Sequence, residues 1–148
     1  MHTRLTRPLI VVAAALVAAG GYIHVREWLD TYRNVPSAAP GSFVVKIGFP
    51  VNAATSLVVA GALLAAAWRF QRYLTVIVAG AVAFQAASLA ALIQSRTGSV
   101  FGWKEPVWTD GANQARAVEI AALLALVGVI GLRSRVRRPA PARVSARA

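Results

Sequence analysis

His24 and Glu27 stand three residues apart, and His24 and Trp28 four apart, so on a helix they share one face. An imidazole beside a carboxylate is the pairing used for general acid–base work and for metal ligation. Arg26 and Asp30 make a further i,i+4 pair in the same stretch. A second group lies late in the chain: Trp103, Glu105, Trp108, Asp110 and Glu119. Brought together, the two groups could hold a metal or a cationic ligand, or let His24 and Glu27 act on a lipid-linked substrate. The spacing argues against the metal: one histidine with scattered acids matches no ligand pattern such as HExxH. We therefore assign no metal, no cofactor and no catalytic residue. His24, Glu27, Trp28, Asp30, Trp103, Glu105, Trp108, Asp110 and Glu119 stand as binding candidates on one face of a membrane.

Two other polar groups sit deep in apolar sequence, Gln85 and Ser88, with Thr55 and Ser56 earlier in the chain. Their expected role is hydrogen bonding between helices in lipid. No ionisable residue falls at the centre of an apolar run, as a proton- or ion-coupled transporter would need. Glu119 comes closest, and its position suggests a carboxylate favoured by the positive end of a helix. There is no nucleophile elbow, P-loop or dinucleotide fingerprint. Cysteine is absent, which excludes thiol–disulfide chemistry and thiolate metal sites.

The elements that must position these residues are apolar. Of 148 residues 57% are hydrophobic and 14% charged, against about a quarter charged in soluble domains. Four runs are long enough to span a bilayer, at about 8–25, 51–68, 73–93 and 115–132. They predict an all-α, polytopic membrane protein: a four-helix transmembrane domain over 1–133, antiparallel, followed by a basic, disordered tail over 134–148. Thr6 and Pro8 suit the start of the first helix and Asn52 the cap of the second. The segment 43–47 reads either as a short β-like or interfacial piece, or as the start of the second helix kinked at Pro50. A rival reading of the first run is a signal peptide cleaved near Gly20. Small residues recur at helical spacing (Ala79, Ala83, Ala87, Ala91; Ala117, Ala121, Ala125; Gly61, Ala65), as packing faces in lipid do.

Charge sets the orientation. Trp68-Arg69-Phe70-Gln71-Arg72-Tyr73 is a tight turn between the second and third runs. Placed in the cytoplasm with both termini, it gathers Arg4, Arg7, Arg69, Arg72, Arg133, Arg135, Arg137, Arg138, Arg143 and Arg147 on one side. The positive-inside rule favours that arrangement. All 5 acids then face outward. The net charge of +11 thus reports topology, anionic lipids at the arginine-rich ends being the expected contact, and not nucleic acid.

Trp28-Leu29-Asp30-Thr31-Tyr32-Arg33-Asn34-Val35-Pro36 and Phe101-Gly102-Trp103-Lys104-Glu105-Pro106-Val107-Trp108 resemble the outer-loop segments of small four-helix membrane proteins of actinobacterial type. The resemblance implies a fold and no activity. The function expected is that of a non-enzymatic accessory or scaffolding subunit in a bacterial inner membrane, its outer loops binding a membrane-protein partner or a second copy. A small oligomeric transporter or channel is the alternative.

Overall fold

The structure is a computed structural model that describes residues 2–136 in backbone and 5–134 in side chains. They form four α-helices: α1 (His2–Asp30), α2 (Ser42–Trp68), α3 (Leu74–Thr97) and α4 (Asp110–Val136). Each contains a stretch long and apolar enough to cross a membrane. At 1.5 Å per residue a 27-residue helix such as α2 is about 40 Å long, beyond the roughly 30 Å hydrocarbon layer. The helix ends therefore carry polar residues that the apolar runs alone do not include. The basic tail from residue 137 onward lies outside the described residues.

The helices are longer than the hydropathy runs, for reasons that are local. α2 begins at Ser42, after Gly41 in the left-handed region (φ 69°), and runs straight through Pro50. Proline has no N–H to give the carbonyl four residues back. That carbonyl, on Lys46, is taken instead by the Trp28 indole N–H at 3.1 Å. The segment 43–47 is thus helix, and Asn52 lies well inside α2 and does not cap it. At the start of α4, Thr109 Oγ1 accepts the Ala112 N–H at 3.1 Å, an N-cap that opens the helix at 110. Gly111 leaves room there for the Glu27 carboxylate, which occupies the place a Cβ would take. α1 begins at His2, so Thr6 and Pro8 are both inside it.

The core runs along the helix interfaces and is built of small and branched side chains. α1 supplies Ile10, Ala13, Ala14 and Val17; Leu63 comes from α2, Val78 and Ala81 from α3, and Ala122, Leu126 and Val129 from α4. α1 packs on α2 and α4, while α3 packs mainly on α4 and is the least enclosed helix. α1 and α2 come close at Gly21, where a Cβ would lie 2.7 Å from Ser56 Cβ. The expected alanine face of α3 is not the packing face. Ala79, Ala83, Ala87 and Ala91 are all exposed, as are Gly61, Ala65 and Ala117. Within the bundle Val78, Ala81 and Gln85 make the buried side of α3.

One end of the bundle carries the tight 3-10 turn Gln71–Tyr73, which buries nothing. The other, here the loop end, carries the longer connections 31–41 and 98–109. These interlock. Val100 and Trp103 exchange both backbone hydrogen bonds at 2.9 Å, closing a two-residue turn with Phe101 at φ 48° and Gly102 at φ 89°. Both central residues are left-handed, as a type I′ turn requires. Gly41 packs its backbone onto this turn: a Cβ there would fall on the Trp103 nitrogen.

Candidate functional site

A hydrogen-bonded chain crosses all four helices just below the loop end. Ser56 Oγ donates to Asn52 Oδ1 at 3.3 Å, Asn52 Nδ2 to Ser88 Oγ at 2.8 Å, and Ser88 Oγ to Glu119 Oε1 at 2.6 Å. His24 Nε2 reaches the same Glu119 oxygen at 3.2 Å. The directions are forced. Ser88 has one proton and gives it to the carboxylate, so its oxygen must accept from the Asn52 amide. Every donor points toward Glu119, which reads as the acceptor end of the chain.

Glu119 is 1% exposed, and its Oε2 has no partner among the described residues. It lies more than two turns inside α4, which begins at Asp110. The helix-dipole account expected for it therefore fails, since that effect fades beyond the first turn. A buried carboxylate in a spanning helix is costly, and its partners are what hold it there.

A second polar group closes the site from above. Arg96 Nη1 meets Glu105 Oε2 at 2.9 Å and donates to the Glu105 carbonyl at 2.8 Å. The Tyr32 hydroxyl donates to the same carboxylate oxygen at 2.5 Å. Burial first, and then the Glu105 carboxylate, push the Tyr32 phenol well above its ordinary value. Tyr32 packs on Phe49 (ring centroids 4.5 Å) and Trp103 (6.1 Å), and Phe49 sets its edge against His24 at 5.1 Å.

Between the two polar groups is a cavity of about 150 Å³, bounded by α1, α2, α3 and the 98–109 connection. Its floor is His24, Asn52 and Ser88, and its roof is Tyr32, Arg96 and Glu105, with Trp103 beside them. The walls are apolar, from residues such as Val45, Phe49 and Leu92. Glu119 does not line it and stands behind His24 and Ser88.

Of the candidates read from the sequence, His24, Trp103, Glu105 and Ser88 line this cavity and Glu119 supports it. His24 pairs with Glu119 rather than with Glu27. Glu27 instead meets Arg26 at 3.2 Å, and Arg26 turns to Gln114 at 3.0 Å rather than to Asp30. Asp30 and Asp110 are exposed, and Asp110 opens α4. Trp28 serves the Lys46 carbonyl. Trp108 lies under the Arg116 guanidinium, 4.5 Å from the ring centre. Gln85 is buried on α3, a turn below Ser88. Tyr32, Asn52 and Arg96 were not singled out for the site from sequence. Arg96 looked like an ordinary loop charge, and the one available signal was an acid, Glu105, nine residues on.

Among the described residues no group of three or more histidines, cysteines or acids could hold a metal ion. No family model, curated protein or solved structure matches the chain.

Proposed function

We propose that this chain is an accessory protein of a bacterial inner membrane that binds a small, largely apolar molecule in the loop-end cavity, and that it is not an enzyme. The observation that carries this is the cavity itself, apolar in its walls with hydrogen-bonding groups fixed at floor and roof. Sites for small molecules are built in this way. The rigidity is also appropriate: the roof is tied by Arg96, Glu105 and Tyr32, and the floor by a chain of donors that reaches every helix. Filling the cavity tests the proposal. Gly48→Leu and Ala91→Phe, both at its lining, are expected to abolish uptake of small aromatic probes such as toluene in nanodiscs while leaving the fold intact. Undiminished uptake in both variants would sink the reading.

The helices are proposed to run antiparallel with the loop end outside and both termini in the cytoplasm. Charge supports this, since the turn at 69–72 is arginine-rich, while the acids lie toward the loop end, Glu105 on a connection and the others on α1 and α4. Reporter fusions at Gln71 and Lys104 decide it, and a periplasmic Gln71 fusion would reverse the orientation. α1 is proposed to remain in the mature protein, because Ile10, Ala13, Ala14 and Val17 belong to the core. The outward-facing pair Phe43 and Phe101, with ring centroids 6.2 Å apart, is where a membrane-protein partner would dock. Purification in mild detergent that always returned the protein alone would count against docking.

One observation favours transport as a second reading: the buried, half-satisfied carboxylate of Glu119 inside a spanning helix. Flux through reconstituted protein that survived Glu119→Gln and Gln85→Ala together would remove that path.

A further inference from the structure

The floor of the cavity presents two unused hydrogen-bonding positions of opposite kind. Asn52 Nδ2 carries two hydrogens and gives one to Ser88, leaving the other free. His24 uses Nε2 toward the Glu119 carboxylate, so in the neutral ring Nδ1 keeps its lone pair. His24 Nδ1 is not among the buried atoms left without a partner. Both residues line the cavity, and both are held in place by the same two groups, Ser88 and Glu119. One donor beside one acceptor is the complement of a hydroxyl, which accepts one hydrogen bond and gives one.

Charge points the same way. At the roof Arg96 is already neutralised by Glu105, with Tyr32 on the same carboxylate oxygen. Behind the floor Glu119, which does not line the cavity, is satisfied in part by His24 and Ser88. A charged ligand would meet no free counter-charge and would have to leave water for an apolar chamber. An uncharged one loses little. The volume of about 150 Å³ is that of a cavity known to take a benzene-sized molecule, roughly 150 Å³.

We infer that the molecule taken by this cavity is uncharged and carries a hydroxyl as its polar end, its oxygen accepting from the Asn52 amide N–H and its proton donated to His24 Nδ1. This deepens the proposed function and rests on the cavity being a binding site. Recognition of this kind rejects the matching hydrocarbon, because the spare Asn52 hydrogen and His24 Nδ1 would then lose water with nothing in exchange.

Four probes of one shape test it: benzyl alcohol, toluene, benzylamine and benzoate, each titrated into nanodisc-embedded protein at equal mole fractions in the lipid. The readout is the ring signals of isotopically labelled histidine. The chain has 2 histidines, so His24→Gln assigns the His24 signals and His2 serves as the internal control for non-specific partitioning. Benzyl alcohol is expected to shift the His24 signals at about a tenfold lower mole fraction than toluene, the effect of one to two net hydrogen bonds. Asn52→Leu is expected to erase that preference. The wild-type series stands without the variant should it fail to fold. Equal response to toluene and benzyl alcohol overturns the hydroxyl assignment while leaving the cavity a site. Preference for benzylamine or benzoate overturns it also, as does a nitrogen shift showing Nδ1 protonated in the free protein. No response to any probe overturns the cavity reading with it. A long-chain 4-alkylbenzyl alcohol, run beside benzyl alcohol, separates a lipid source from a water-borne one.

Discussion

Removing the Trp28 indole N–H should matter only because Pro50 is a proline. In Trp28→Phe the aromatic body remains but the donor to Lys46 O, 3.1 Å away, is lost. Pro50 has already deprived that carbonyl of its helical partner. A part-buried carbonyl left with no donor costs about 1–3 kcal/mol. Trp28 is only half-buried, so water can partly replace the indole, and we expect the lower part of the range, about 1–2 kcal/mol. Pro50→Ala supplies a backbone N–H that reaches Lys46 O. In that background Trp28→Phe should cost less than about 0.5 kcal/mol, leaving a coupling energy of about 1 kcal/mol or more. The assay is reversible unfolding of the four proteins of the cycle in mixed micelles. Equal costs of Trp28→Phe in the two backgrounds would refute the account of how α2 tolerates its proline.

Three further perturbations follow from the loop end. Glu119→Leu strips the acceptor from both His24 and Ser88 and should lower stability by about 2–4 kcal/mol, whereas Glu119→Gln, which keeps one acceptor, should cost less than half as much; micellar unfolding compares them. Gly41→Ala sets a Cβ against backbone at φ 69°, with no flexible atom to give way. It should cost at least about 2 kcal/mol and expose 31–41 and 98–109 to protease first. Tyr32 holds its proton to higher pH when folded than the ordinary phenol value of about 10. Its stabilising contribution is therefore complete below about pH 10 and declines as pH rises from there toward the raised folded value. Tyr32→Phe should lack that alkaline decline, as unfolding midpoints measured from neutral to strongly alkaline pH would report.

The number and rough position of the helices were legible because apolar runs of spanning length have few other uses. The ends were not, because they depend on caps outside the apolar runs, such as Thr109, and on partners far off in the chain, such as Trp28. Pro50 looked like a boundary until Trp28 met the carbonyl it leaves open. Gly111 looked like loop until the Glu27 carboxylate was found where its side chain would be. Sequence placed His24 and Glu27 on one helix face, yet tertiary packing turned His24 toward Glu119, 95 residues away. The polar residues at membrane depth were easier. Ser88 does bridge helices, joining Asn52 of α2 to Glu119 of α4, whereas Ser56 bonds only within α2, to Asn52 four residues back. Arg96 was the hardest to foresee, since what draws it inward is one acid on a connection whose path no local pattern reveals.

The same separation bears on how the chain is made. α1 leaves the ribosome first and α4 last, so His24 enters the bilayer long before its carboxylate exists. At about 5–20 residues per second, the 95 residues between them take about 5–20 s to synthesise. Through that interval both the His24 ring and the Asn52–Ser88 link stand without their final acceptor. Arrival of Glu119 then completes the hydrogen-bonded chain that ties α1 and α3 to α4. A chain truncated before residue 119 should be inserted yet short-lived, recognised by membrane proteases as unfinished.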